Sequence, residues 1–468
     1  MYEEDDLTHL DPLINRFEEM LSEDEVWFFD VQEFELISDF YFERGQITKA
    51  LKAAQFGADQ HPGNSSFVVR KTQCFTASNK FKKAHSELAQ LESLNPESYD
   101  LYMAKAALFS KQNRHEAAIG FYKKALQKAE FPEDVYPLIA LEYQITGDFE
   151  NAYIFLHKTL SLNPDDEVAL YNIALCFDIL EKTEEGIKYL TEFTDQNPYN
   201  ETAWHHLAIL HARTEDYHEA LRAVDFAILI DEYFTAAYFE KGRILEKTFQ
   251  YQKAVETYCE CLEFDAPSGF IYLKIGLCYL KMHKEQKAIS YFTKAVTEDN
   301  ELDEAYYELA LLHDENESFQ ESVYHIDQAL KIDPDNYDYL MAGARIYRRA
   351  GSLYEAETIY KRMTYDLLYL EPEMFIDHAE LLFDLCEFDL GMNVLYQGIE
   401  ECEESATLNY RLAGYLYTLR ESDEADIYLK KALKLNSDNL YQFFELFPQL
   451  RLHDGIEALI KEFRANNF

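Results

Sequence analysis

EDVYPLIALEYQITGDFENAYIFLHKTLSLNPDD, residues 133–166, reads as two short helices joined by a tight turn at Gly147-Asp148. In the first helix Tyr136, Ile139, Ala140 and Tyr143 recur three and four residues apart and so share one apolar face. Ala152, Leu156 and Thr159 repeat that spacing in the second, and Pro164 closes the unit because proline cannot continue a helix interior. Two such helices expose too much apolar surface to stand alone, so something must cover them on both sides.

Working outward, the cover is more of the same. Steps of 34 residues from Ala152 meet Ala50, Ala84, Ala118, Gly186, Ala220, Ala254, Ala288, Ser322 and Ala356; after one added residue the series resumes at Gly391 and Ala425. A second ladder, twelve residues earlier in each unit, runs Ser38, Thr72, Ala106, Ala140, Ala174, Ala208, Gly242, Gly276, Ala310, Ala344, Ala379 and Ala413. Neither ladder holds a large side chain. Helices approach closely only where both present small residues, so the paired ladders predict the crossing point of each hairpin.

With that period, the order of large residue, Leu, small residue, aromatic, then Ala and Pro resembles the tetratricopeptide-repeat family. Trp204, Leu207, Ala208, His211, Ala220 and Ala227 carry it, as do Tyr272, Ile275, Gly276, Tyr279, Ala288, Phe292 and Ala295. The closing proline stands at Pro62, Pro96, Pro164, Pro198 and Pro334 and is missing from the other units. The resemblance spans twelve units over 31–439 and implies an all-α fold, a right-handed α-α superhelix of helix-turn-helix repeats. An acidic segment at 1–30 and a segment at 440–468 flank the array. Leu13, Ile14, Phe17, Met20 and Leu21 have helical spacing suited to docking on the first unit, and Tyr441, Phe443, Phe444, Phe447, Ile456, Leu459, Ile460 and Phe463 suit a cap on the last. One irregularity is expected near 365–372, where Leu367, Leu368, Tyr369 and Leu370 replace a polar loop.

Of 468 residues, 43 are Lys or Arg and 87 Asp or Glu, a formal net charge of −44. Such a surface repels phosphate backbones, which excludes nucleic acid as the expected partner. The seven cysteines are scattered through helices, giving no disulfide framework. The opening MYEEDDLTHL lacks the basic and apolar regions of a secretory signal, and no apolar run is long enough to span a membrane. A cytoplasmic location is the resulting expectation.

The chain offers little that chemistry could use. It has no phosphate-cradling glycine loop, and Cys259-x-Cys261 places its thiols on different sides of one helix. Paired carboxylates are plentiful, yet acid–base work needs one buried in a closed pocket. No catalytic residue, cofactor or metal is expected. Binding is the better reading. By the resemblance, the first helix of each unit lines a concave side, and its fifth, ninth, twelfth and thirteenth positions face a bound segment. Those positions are apolar in mid-chain: Leu141, Ile145, Tyr171, Leu175, Ile179, Ile209, Phe239, Leu273, Leu277, Leu280, Tyr307, Leu311 and Met341, with His205 beside them. A solvated helix face is polar, so this excess points to a ligand with apolar anchors, an amphipathic helix or an extended segment. Arg243, Lys247, Lys274, Lys281, Arg345, Arg348 and Arg349 collect on the same side and are expected to take carboxylates from that partner, while a basic surface elsewhere on it would suit the acidic chain. The carboxylate clamp of chaperone-tail repeats is not reproduced: Asn172 stands at one of its positions, but Tyr171 and Leu175 replace its other polar residues. The expected role is a non-catalytic scaffold or adaptor. The alternatives are a regulatory or substrate-presenting subunit of a separate enzyme and a nucleic-acid-binding helical repeat, the last opposed by charge.

Overall fold

Helix follows helix along the computed structural model, which describes residues 4–23, 25–264 and 268–467 and contains no strand among them. Residues 1–3 and 24 of the acidic N-terminal segment lie outside the described residues. Between residues 31 and 435 the helices pair into hairpins, from Val31–Glu43 with Ile47–Gln60 to Ala406–Thr418 with Ser422–Leu435. The quoted stretch is one of them, Tyr136–Ile145 with Phe149–Leu162, entered through a short 3-10 turn at Pro132–Asp134.

Each hairpin turns in the same way. One residue takes a left-handed backbone conformation at 45, 79, 113, 147, 181, 215, 249, 283, 317 and 351, and after the added residue at 386 and 420. Gly147 (φ +79°) shows why: its N–H donates to the carbonyl of Gln144 and the next N–H, of Asp148, to that of Tyr143, at 3.0 and 2.9 Å, so the last carbonyls of the first helix are satisfied. Only three of the twelve positions are glycine. At the others, including Glu181, Phe249 and Cys386, the two hydrogen bonds hold an L-residue where its Cβ is disfavoured.

The small-residue ladders meet where the two helices of a hairpin cross. Ala50, Ala84, Ala118, Ala152, Ala220 and Ala288 are wholly buried, as are Ala106, Ala140, Ala208, Ala310 and Ala344 opposite; Ala174 alone in the second ladder is half-exposed. A Cβ added at Gly276 would stand 2.5 Å from the Phe292 ring, and one at Gly391 would stand 2.4 Å from that of Phe383. Two hairpins add a hydrogen bond across the ladder pair, Ser38 Oγ to the Ala50 carbonyl and Ser322 Oγ to that of Ala310 (3.2 and 2.8 Å).

The chain divides into two compact units, Met1–Ile244 and Leu245–Phe468. The first opens with helix Glu4–Glu23, which buries Ile14, Phe17 and Met20 against Phe29, Phe34, Ile37 and Tyr41. Tyr41 donates its hydroxyl proton to Glu18 (2.5 Å), and Arg16 donates to the Phe28 carbonyl (2.7 Å). The second ends in Leu440–Leu446, a turn at Pro448–Leu452 and helix Asp454–Asn467, with Phe443, Phe447, Leu450, Ile456 and Leu459 in the core that also holds Leu412 and Leu433. In the same unit, helix Leu353–Lys361 passes into a π turn at Arg362–Asp366. Leu367, Tyr369 and Leu370 then pack on the core, whereas Tyr365 and Leu368 face solvent.

Candidate functional site

The first helices carry the residues singled out by sequence, and their surroundings differ along the chain. In the first unit, Leu141 and Ile145 on helix Tyr136–Ile145, and Val168, Tyr171 and Ile179 on helix Glu167–Ile179, are 47–70 % exposed. Single exposed apolar side chains are ordinary, but five at helical spacing on two successive first helices form a strip. Leu175 lies half-buried within it, and beside it Gln144 Nε2 donates to Asn172 Oδ1 (3.1 Å), tying the two helices together. Asp178 at the end of the strip is taken by Arg213 of the next first helix.

Beyond the strip the same unit turns polar. His206 is buried beneath Tyr171, ring centroids 6.1 Å apart, and His205 packs edge-on to Phe234 at 5.3 Å. Burial pushes both imidazoles down to about 4, helped at His205 by Arg243 and at His206 by its neighbour, so both are neutral near pH 7. Phe239 is half-buried, and exposed Arg243 reaches back to Glu240, Nε to Oε2 3.3 Å. Glu240 is itself buried, its other oxygen lacks a donor, and burial raises its pKa against the pull of Arg243 and Arg213.

In the second unit Lys247 and Lys281 are exposed, Lys274 is half-buried with its Nζ 5.2 Å from the Phe270 ring centroid, and Leu277 and Leu311 are half-buried. Tyr307 stacks near Tyr339, centroids 4.9 Å apart. Leu273 and Met341, expected to face a ligand, are only 1 % and 4 % exposed; Leu273 belongs to the packing between helices, and Met341 reaches only a small cavity between them. The arginines also depart from expectation. Arg345 Nε lies 2.6 Å from Asp377; Arg348 holds Asp384 through Nε (2.6 Å) and Glu380 through Nη1 (3.1 Å); Arg349 holds Asp314; and Arg411 takes the other oxygen of Glu380. Their carboxylates come from this chain, on helices Asp303–Glu315 and Pro372–Asp384, so the three arginines first of all bind neighbouring hairpins to one another. Asp377, Glu380 and Asp384 carry no family signature of their own, and only their separation of 32–36 residues, about one repeat, marks them as facing those arginines across adjacent first helices. Nor does Glu142, buried with an oxygen 2.8 Å from His115 Nδ1.

Among the described residues, no group of three His, Cys, Asp or Glu side chains is placed to hold a metal, and no helix is long and apolar enough to cross a membrane.

Two family models described as tetratricopeptide repeat match residues 75–134 and 307–365, and 235–267, 271–301 and 406–439; a third, described as anaphase-promoting complex, cyclosome, subunit 3, matches 111–193. No curated protein matches the chain. Similar solved structures include the MamA protein (21 % identity, TM-score 0.32, 37 % of this chain and 94 % of that one). Another is MamA 41-end from Desulfovibrio magneticus RS-1 (20 %, 0.33, 37 % and 98 %). A third is YrrB, titled a TPR protein with an unusual peptide-binding site (17 %, 0.32, 37 % and 89 %).

Proposed function

Because the chain is a tetratricopeptide-repeat protein, a family of protein-interaction scaffolds, we propose that it is a non-catalytic adaptor whose first-helix face holds a segment of another protein. The observation that carries this reading is the uncharged apolar strip Leu141, Ile145, Val168, Tyr171 and Ile179, left exposed on a chain of net charge −44. A surface selected only for solubility would place charge there. The partner segment supplies apolar side chains to the strip, in the manner of an amphipathic helix or extended peptide laid on a groove. Leu175 and His205 flank it, Phe239 and Arg243 extend the surface, and Lys247, Lys274, Leu277, Lys281, Tyr307 and Leu311 offer the corresponding face of the second unit. Arg345, Arg348 and Arg349 meet a partner only through the exposed edges of guanidinium groups already paired within the chain.

The test is crosslinking in the native cell with wild type beside Ile145→Asp/Tyr171→Asp. Both side chains are more than half exposed, so the double variant is expected to keep its helical circular dichroism and melting temperature while losing the wild-type crosslinked partners at least tenfold. An unchanged partner set from the folded variant refutes the assignment.

A further inference from the structure

In the second unit, helices Asp303–Glu315, Tyr337–Arg349 and Pro372–Asp384 enclose a cavity of about 210 Å³ on the first-helix side. That is below the roughly 300–1,000 Å³ of small-molecule sites, and suits one side chain better than a cofactor. Tyr307 and Tyr337 supply aromatic walls, and Leu311 and Met341 supply apolar ones. Asp314, Asp338 and Glu373 also line it. Asp314 is more than nine-tenths buried; Arg349 holds one of its oxygens and the other has no donor. Neither Asp338 nor Glu373 has a basic partner among the described residues. Arg345, the one cation in the wall, is matched by Asp377 at 2.6 Å. With every internal pair counted, Asp314, Asp338, Glu373 and Asp377 stand against Arg345 and Arg349, and two negative charges remain.

We infer that this cavity is a socket for one arginine side chain of the bound partner. The methylene stem would lie on Leu311 and Met341, the guanidinium plane against a tyrosine ring, and its N–H groups toward Asp338 and Glu373. Arginine fits better than lysine because a planar cation stacks on a ring and meets two carboxylates at once. Burial, with Glu371 and Glu373 adding to it, raises the Tyr337 hydroxyl to about 12, which agrees with a negative potential at the mouth. The inference rests on the reading of the first-helix face as the partner-holding surface and adds the partner's chemistry.

The probe is N-acetyl-arginine methylamide, titrated into the full chain carrying ¹³C-methyl methionine, with the isosteric but uncharged citrulline derivative as comparator. The arginine probe is expected to shift the Met341 methyl saturably, with the citrulline derivative at least fivefold weaker. Asp338→Asn/Glu373→Gln, two exposed positions, should weaken the arginine probe at least fivefold with the melting temperature unchanged. Equal response to both probes, an undiminished response in the double variant, or parallel shifts of Met20 and Met103, the mark of general attraction to an acidic surface, overturns the socket. If the socket fails while Ile145→Asp/Tyr171→Asp still abolishes crosslinking, the adaptor reading stands without it; if the probe binds as expected while crosslinking ignores the strip, the strip is wrong and the socket stands.

Discussion

His378 is 3 % exposed, stacked on the Tyr360 ring at 5.3 Å, with its Nε2 lacking a partner. Burial pushes its pKa down to about 4, against a small upward pull from Glu357 and with Lys361 adding to the depression. A histidine with a depressed folded pKa is neutral in the fold, so below its ordinary value near 6.5 the unfolded chain binds the extra proton. Its contribution to stability is therefore intact above about pH 6.5 and is lost as pH falls toward 4, reaching about 2 kcal/mol at pH 5. Buried carboxylates run the other way: Asp377, raised by burial against Arg345, favours the fold as pH falls. The wild-type profile mixes both signs, and a difference isolates one. Relative to wild type, His378→Leu should gain about 2 kcal/mol between pH 7 and pH 5, whatever constant offset the lost ring stacking imposes, as read from urea midpoints at each pH. Parallel profiles would mean that the folded imidazole takes up its proton as readily as the unfolded one, as it would if water reached it.

At the scale of the helix pair, what matters is how near the two helices come. Gly276 accepts no Cβ without moving the buried Phe292 ring, 2.5 Å away, so Gly276→Ala should cost about 1–3 kcal/mol as overpacking. Gly120, on helix His115–Leu126, meets nothing within 4 Å and is exposed, so Gly120→Ala should stabilise by about 0.5–1 kcal/mol through helix propensity. Opposite signs for one chemical change, measured by denaturant midpoint, test the crossing point directly. The ladders made this pairing legible because close approach leaves a mark on residue size that no other demand imitates. Exposure on the first helices was legible only in part. Tyr171, Leu273 and Met341 occupy the same position of three repeats, yet the first faces solvent and the other two are buried. Burial there depends on what the adjacent first helix places opposite, which residue type alone does not reveal. The internal partners of the arginines were missed for the same reason: their charge was visible, but the carboxylates that meet it sit about one repeat away, on helices Asp303–Glu315 and Pro372–Asp384.

Across the whole chain, cohesion comes from helices that are neighbours in sequence, and each buried cluster gathers side chains from successive hairpins. A structure of this kind has stability that is local: each hairpin holds through itself and those beside it, and ends need covers. Net charge works against it everywhere, since 87 acids repel across a surface with 43 bases, and the ion pairs between hairpins offset this only locally. The C-terminal cover makes the point testable. Helix Asp454–Asn467 packs on Ser422–Leu435 and places Ile456, Leu459 and Ile460 in the terminal core. Deleting residues 454–468 exposes that core without touching hairpins farther along the chain. Hydrogen exchange should then quicken by an order of magnitude or more across 406–452, more weakly across 372–401, and not at all across 136–213. A faster rate spread evenly over the chain would instead mean that the protein unfolds as one cooperative body, and the neighbour-only account of its stability would fail.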